Sequence, residues 1–363
     1  MVSLHIDTAR TWRGGQQQVL LTVLGLRARG HRAVLVAHPE GELRRRAAQG
    51  DDVIPLGARG EMDLGAGWKL ARIIRDLRPE VVHAHDPHAV ALAAFALALG
   101  ANRRRPALVA ARRVDFHLKR NAFSRWKYRQ VDLFLCASNA IRAMIVANGV
   151  APERALTVHE GIDVERVEHT PAVRVHSEFW LPTDAPIVGN VAALVPHKGQ
   201  RYLIEAAALT LRHVPDARFL IVGTGPLEAA LRTEIRRRGL ERHVILAGFR
   251  PDAVALIKGF DLFVLSSITE GLGTSLLDAM ACRRAIVASR TGGIPEVVVH
   301  EETGLLVPPR NGAALAESIV RLLQDPERRR QFGEAGYARV VAHFTADRMV
   351  EDTLRAYARV VRA

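Results

Sequence analysis

Cysteine is nearly missing from this chain, with 2 among 363 residues. Cys136 falls inside a strand pattern and Cys282 at a helix end. That usage excludes a disulfide framework and a cysteine-based metal site, and leaves two small apolar packers. Long uncharged apolar runs are missing too: the most apolar helix candidate, Ala91 to Leu99, is too short to cross a bilayer. No basic–apolar–small leader pattern opens the sequence. Leu4-His5-Ile6 begins a strand at once, so the expected location is cytoplasmic. Solenoid-length repeats and low-complexity tracts are wanting as well. Acidic residues are in deficit: 51 Lys and Arg face 38 Asp and Glu, a net charge of +13. The excess is uneven, +9 over residues 1–165 (25 basic, 16 acidic) and +4 over residues 166–363 (26 basic, 22 acidic). Such a charge draws an acidic partner.

The densest basic stretch runs from Arg103 to Arg129, with ten Lys or Arg and one acid, Asp115. Phe116, Phe123, Trp126 and Tyr128 are interleaved. Anionic lipid headgroups, or a lipid-linked acceptor, would be attracted at roughly 1 kcal/mol per basic group near a bilayer. Peripheral contact of the first domain with the inner face of an anionic membrane is therefore one expectation. No helix-turn-helix, zinc-finger or RNA-binding signature accompanies the charge, so nucleic acid is not an expected partner. The competing reading is a chain that places Arg on solvated helix faces, which Arg44-Arg45-Arg46, Arg236-Arg237-Arg238 and Arg328-Arg329-Arg330 support.

What is present is rhythm. At this length two domains of ordinary size are natural. Apolar runs of three to seven residues alternate with helical stretches: Val2–Asp7, Ala33–Ala37, Val53–Leu56, Val81–His85, Ala107–Ala111, Leu133–Ser138 and Leu156–His159. The pattern resumes at Ile187–Ala192, Phe219–Gly223, Val244–Gly248, Leu262–Ser267, Ala285–Ser289 and Leu305–Val307. Such alternation predicts an α/β fold with two parallel sheets, each covered by helices on both faces. Between them, Val164 to Asp184 shows no period and reads as a linker. A last helix is expected over Ala346–Val361, with Met349, Leu354, Tyr357 and Val361 on one stripe.

The stretch richest in chemistry is Ser266 to Pro295. An apolar run, Leu262–Leu265, feeds a loop holding Gly271 and Gly273; Thr274 and Ser275 then stand where helix caps stand, ahead of the helix-forming run Leu276–Ala281. A strand, a glycine loop and a helix start leave backbone N–H groups free for a phosphate. Glu270 lies in that loop and Asp278 about one turn inside the helix. A phosphate cradle flanked by acids suits a nucleotide-sugar. Glu270-Gly271-Leu272-Gly273 through Asp278-Ala279-Met280-Ala281, with Gly292-Gly293 in register, resembles the signature of retaining GT-B glycosyltransferases of family 4, with Asp278 where that signature has Glu.

The resemblance implies a GT-B architecture: two Rossmann-like parallel-sheet domains facing a cleft, residues 1–165 binding the acceptor and residues 184–345 the nucleotide-sugar. The C-terminal helix, 346–363, would return to the first domain. It implies transfer of a sugar from a UDP- or GDP-type donor to an acceptor hydroxyl, with retention, no cofactor and no metal, in cell-envelope polysaccharide or glycolipid synthesis. The partners would be that donor and a glycan or glycolipid acceptor. Val191 to Gly199 resembles the family's G-R-L-x-x-x-K-G, with Ala193 in place of the Arg and Lys198 kept as the cation for the diphosphate. Gly273, Thr274 and Ser275 would hold the same leaving group, Glu270 the sugar hydroxyls and Asp278 the ribose. Gly223, Gly225, Gly248 and Phe249 would border the nucleotide. Read without the resemblance, Gly223-Thr224-Gly225 is only a weak dinucleotide fingerprint, since no third glycine and no ribose-binding acid follow.

On the first half, Gly14 and Gly15 follow the first strand and open a helix, either as a glycine-permitted turn or to let a substrate approach the backbone. His83 and His85 share one strand face. Acceptor contact, structural burial and a metal are the three readings of that pair, and a metal would need one more ligand. Arg112 stands where many family members carry a His near the transferring sugar. Asp115 is the candidate acceptor-side acid or base, with His117 behind it. Glu160-Gly161-Ile162-Asp163 resembles the family's N-G-I-D turn, with Glu for Asn. Rival functions are a nucleotide-sugar epimerase of the same fold and a non-catalytic protein binding anionic surfaces. An NAD-dependent dehydrogenase is weakened by the incomplete fingerprint.

Overall fold

The computed structural model describes residues 1–47, 52–60, 63–100, 105–118 and 121–361. Four members of the basic stretch, Arg103, Arg104, Lys119 and Arg120, lie outside the described residues. The chain divides into two compact units: residues 1–161 with 346–363, and residues 162–345.

The first unit holds strands β1 (Val2–Asp7), β2 (Arg32–Ala37), β3 (Val53–Pro55), β4 (Val81–Ala84), β5 (Ala107–Arg112), β6 (Leu133–Cys136) and β7 (Ala155–Thr157). They form one parallel sheet in the order β3-β2-β1-β4-β5-β6-β7. Strands so short and so apolar are stable only when both faces are covered. The intervening helices supply the cover, and side chains start several of them. Asp86 accepts from the N–H groups of His88 and Ala89, both at 2.8 Å, with Pro87 as first helical residue. Asp63 and Ser138 cap Ala66 and Ile141 in the same way, at 2.9 and 3.1 Å.

The closing helix Ala346–Val361 belongs to this first unit. It packs on the helix Gly14–Ala28 so closely that a Cβ on Gly25 would meet a Val350 methyl at 2.5 Å. Its buried face is Met349, Val350, Thr353, Ala356 and Tyr357, and all of these but Thr353 join Val19, Val23, Leu26 and Leu35 in the core. The expected stripe is thus half right: Leu354 is only partly buried and Val361 is exposed. The helix rolls so that adjacent pairs, 349/350 and 356/357, point inward, about two turns apart.

The second unit holds β8 (Ile187–Val191), β9 (Arg218–Val222), β10 (Val244–Gly248), β11 (Leu262–Leu265), β12 (Ala285–Ser289) and β13 (Gly304–Val307). Their parallel order is β10-β9-β8-β11-β12-β13. The core lies between that sheet and its helices, built on Val188, Phe219, Ile221, Val264, Val287 and Ile319. Residues 164–184 are not a linker. Asp163 caps a helix over Val164–His169 through the Arg166 N–H at 2.9 Å, and a second helix covers Val175–Glu178. Val167 and Val175 are buried in the second unit. Each helix is under two turns, too short for periodicity to register in sequence. Among the described residues no helix is long and apolar enough to cross a membrane.

Candidate functional site

In each sheet the strand order reverses direction once, between β1 and β4 and between β8 and β11. In open parallel sheets the loops leaving such a point splay apart and make a ligand crevice at the strands' carboxyl ends. The loop after β8 carries Lys198 and the loop after β11 carries Glu270. Their side chains meet: Lys198 Nζ lies 2.5 Å from Glu270 Oε2, which also accepts from Ser267 Oγ at 2.9 Å. The two loops are laced by further bonds, Ile268 N–H to the His197 carbonyl at 2.7 Å and Ser266 Oγ to the Lys198 carbonyl at 3.2 Å. The approach requires glycine at 199, where φ is +64° and a Cβ would sit 2.2 Å from the Ser266 carbonyl. Glycine is demanded again at 292, φ +52°, where a Cβ would fall 1.8 Å from the Glu270 carbonyl. The neighbouring Gly293 N–H donates to that carbonyl at 3.2 Å, and Thr291 Oγ1 donates to the Ile268 carbonyl at 3.0 Å. Glu270 is therefore pinned on its backbone by a third loop.

After Glu270 the chain turns into the helix Thr274–Ala281. Its cap residue is Gly273, left-handed at φ +92°, so no side chain caps this helix. Thr274 and Ser275 are the first two helical residues rather than the caps expected from sequence. Asp278 stands one turn in, half-buried, and its carboxylate makes no hydrogen bond or ion pair among the described residues. Burial raises it to about 6, against a smaller opposing pull from Arg166. Gly223 and Gly225, after β9, lie against the carbonyls of Ala192 and Leu194, so close that side chains there would collide with backbone. Gly248 ends β10 with φ +72° and its carbonyl accepts from the Gly223 N–H at 2.8 Å. Phe249 beside it is 55% exposed. The donor-side residues expected from sequence thus fall on four neighbouring strand ends of the second unit.

In the first unit, Gly14 and Gly15 are the first two residues of a 15-residue helix, again with no side-chain cap. Neither has a positive φ, and a Cβ on Gly15 would meet only Arg113 Cδ, at 3.9 Å. At Gly15 the turn reading therefore fails: neither the backbone conformation nor the space around it demands glycine. Acceptor contact through His83 and His85 is also overturned. Both are buried, 3% and 6% exposed, with rings 4.0 Å apart between centroids and turned to internal partners. Alternation put them on one face correctly; what it could not supply was β1 alongside, which brings His5 opposite His83. One ring nitrogen from each of the three histidines lies within 4.8 Å of the others. Burial holds His5 down to about 3 and His83 and His85 well below the ordinary value, so all three are neutral.

Asp115 is half-buried in the loop after β5, near the Arg112 guanidinium, and His117 is exposed beside Asn148. Arg112 turns inward and donates to the Phe116 carbonyl, so it does not replace the His it stands for. Lys127 of the basic stretch is buried as well, its Nζ 3.2 Å from the Pro87 carbonyl. Part of the sequence's positive charge is thus structural.

The pattern of the glycosyl transferases group 1 matches residues 175–339, and that of glycosyltransferase family 4 matches residues 12–166. EpsD of Bacillus subtilis (strain 168), provisionally named a glycosyltransferase, is 30% identical over 303 residues, covering 80% of this chain and 79% of that protein. The chain belongs to glycosyltransferase family 4, group 1. A GDP-mannose-dependent alpha-(1-6)-phosphatidylinositol monomannoside mannosyltransferase of Mycolicibacterium smegmatis is 34% identical over 201 residues, 52% of this chain and 53% of that enzyme. Among solved structures, HepE of Anabaena in complex with UDP and glucose superposes with a TM-score of 0.86 at 21% identity, over 99% of this chain and all of that one. The transferase thus has the GT-B fold of its family and the retaining stereochemistry that goes with it, and the dehydrogenase reading falls.

Proposed function

We propose that this transferase moves a sugar from a UDP- or GDP-linked donor to an acceptor hydroxyl, without a metal, in the synthesis of a cell-envelope polysaccharide or glycolipid. The observation that carries the reading is the Lys198–Glu270 pair where the loops after β8 and β11 meet, beside a helix start that no side chain caps. Breaking the bond between C1 of the sugar and the phosphate oxygen builds positive charge on the sugar and negative charge on the diphosphate. Lys198 and the N–H groups of Gly273, Thr274 and Ser275 stabilise the diphosphate, a task for fixed donors that need no reorganisation. Glu270 accepts from sugar hydroxyls. Asp278, without a hydrogen-bond or ion-pair partner among the described residues, holds the ribose diol, while Gly223, Gly225, Gly248 and Phe249 border the base and the phosphates.

The acceptor oxygen forms the new bond to C1 on the face the phosphate leaves. Its proton passes to a leaving phosphate oxygen, so nucleoside diphosphate is released and no protein nucleophile is consumed. In the first unit, the start of the helix at Gly14 and Gly15 is the backbone surface we assign to substrate, and Asp115 the carboxylate that orients the acceptor hydroxyl. The basic first unit gives peripheral attraction to an anionic membrane. The GDP-mannose-dependent phosphatidylinositol monomannoside mannosyltransferase of Mycolicibacterium smegmatis, and the complex of HepE with UDP and glucose, support the donor and acceptor classes. A thermal-shift panel of UDP, GDP, ADP and their sugars tests the proposal, because a bound ligand raises the melting temperature by mass action. A shift with UDP or GDP is expected; no shift with any of them would refute it.

A further inference from the structure

The imidazoles of His5, His83 and His85 lie under the end of β4, fully enclosed, and the guanidinium of Arg113 closes one side of the group. Arg113 Nη2 is 3.2 Å from His85 Nδ1 and Nη1 is 3.3 Å from the His85 carbonyl. Its Nε is 3.1 Å from Glu160 Oε1. His85 Nε2 is 3.0 Å from His5 Nδ1, and His5 Nε2 is 3.0 Å from Ser3 Oγ. A guanidinium has donors only. His85 Nδ1 must then carry the lone pair, so its proton sits on Nε2 and is donated to His5 Nδ1. That fixes the His5 proton on Nε2, donated to Ser3. One arginine thereby dictates the tautomer of two buried rings in series.

The same three rings would offer one metal ion three nitrogens. Arg113 opposes that use. For His85 Nε2 to give its lone pair to a metal, the ring proton would have to move to Nδ1, where it would face a group that cannot accept it.

We infer that Arg113 is a positioning residue, which locks the His85–His5–Ser3 hydrogen-bond direction and so fixes the end of β4 and the Gly14–Gly15 helix start in a single geometry. Its location serves both ends. Its aliphatic stem underlies Gly15 at 3.9 Å from where a Cβ would be, and its head ties β4 to Glu160, one residue before the chain leaves the first unit. His83 extends the group to the closing helix, Nδ1 lying 2.6 Å from Tyr357 Oη. Neutral rings, kept so by burial, are what a one-way chain of this kind needs. The kinetic consequence rests on the reading that Gly14 and Gly15 meet substrate; the tautomer assignment does not.

The test uses the full chain labelled with nitrogen-15 in histidine, with His5→Gln and His85→Asn variants to assign the signals. Two-bond proton–nitrogen correlations distinguish Nε2–H from Nδ1–H rings. Wild-type protein should show His5 and His85 as neutral Nε2–H tautomers from pH 8 to 5. In Arg113→Met, and less fully in Arg113→Lys, an Nδ1–H population of His85 should appear. With the same variants, turnover should fall tenfold or more while the thermal shift given by UDP or GDP is retained. Absence of that shift in the wild type would count against the donor reading, not against the network. An Nδ1–H His85 in the wild type, an unchanged spectrum and turnover in Arg113→Met, or stoichiometric zinc or copper in the purified protein would overturn the inference.

Discussion

Replacing Glu270 by Gln should move binding and turnover in opposite directions. In the resting site Lys198 spends its charge on Glu270, at 2.5 Å, with the two side chains only 18% and 11% exposed. A hydrogen bond to a charged group this sheltered contributes about 1.5–3 kcal/mol. A nucleoside diphosphate has to draw Lys198 away from that partner before it gains the full interaction. The amide in Glu270→Gln would keep the shape and drop the competing charge. If about half of the contribution is released, UDP or GDP binds tighter by roughly 0.8–1.5 kcal/mol, about four- to twelvefold in Kd. Turnover moves the other way, because the group that accepts from the sugar hydroxyls has lost its charge; losing one such fixed contact costs about 2.7–4 kcal/mol of barrier, 10²–10³ in kcat. Lys198→Met should weaken both. The double variant should lose far less than the product of the single effects, as expected of groups acting as a unit. Calorimetric titration with UDP and GDP, alongside turnover of the matching sugar donor, measures all of it. If Glu270→Gln weakens diphosphate binding as much as Lys198→Met does, competition for Lys198 is wrong and the argument fails with it.

Asp278 gives a pH signature with two signs. Its carboxyl is raised from 3.8 to about 6, so diphosphate affinity should fall as pH drops through 6, and Asp278→Asn should lack that limb. Stability runs the other way: a raised carboxylate costs the fold above pH 6 and the cost vanishes towards pH 4, so Asp278→Asn should raise Tm at pH 7.5 but not at pH 4. Gly292→Ala should be destabilising and inactive, since its methyl lands on the Glu270 carbonyl in a left-handed backbone; normal Tm and turnover would contradict this. Gly15→Ala should fold as well as the parent or better, having room and gaining helix propensity of up to about 1 kcal/mol, while KM rises; an unchanged KM would remove Gly15 from the substrate surface. Tyr357→Phe strands His83 Nδ1 and should cost about 1–3 kcal/mol, read as a lower Tm of the first unit.

Much of this was legible in the sequence, and the failures have physical causes. Each of the thirteen strands among the described residues announces itself as a short apolar run, because a doubly covered parallel strand has no polar face to display. Glu270 and Lys198 are picked out in the sequence by motif resemblance, and what the structure adds is their meeting, which rests on glycine: Gly199 and Gly292 are the residues that let three loops touch. Gly15 is the reverse case, legible as a glycine but not as to cause, since nothing among the described residues presses on it. His5 was invisible as a partner of His83 because strand adjacency, β1 beside β4, is a property of topology and not of either strand. Lys127 counts in the sequence as part of a charged stretch, and Arg112 as the residue in the place of a His, because sequence does not reveal which long side chain reaches a carbonyl indoors. The helices at 164–169 and 175–178 escaped because one turn carries no period.

The passage from the first unit to the second and back has a consequence for how the molecule is made. The outgoing and returning segments lie side by side, Ile162 N–H bonded to the Phe344 carbonyl at 2.9 Å, and the helix that completes the first unit begins only at Ala346. On the ribosome, the unit begun by residues 1–161 must therefore wait for residues 346–361 to emerge before its hydrophobic interior is sealed by Met349 and Tyr357, whereas residues 162–345 form one uninterrupted stretch. Order of synthesis and order of completion are inverted, so a chain interrupted just before Ala346 would carry residues 162–345 as a whole unit and leave residues 1–161 open.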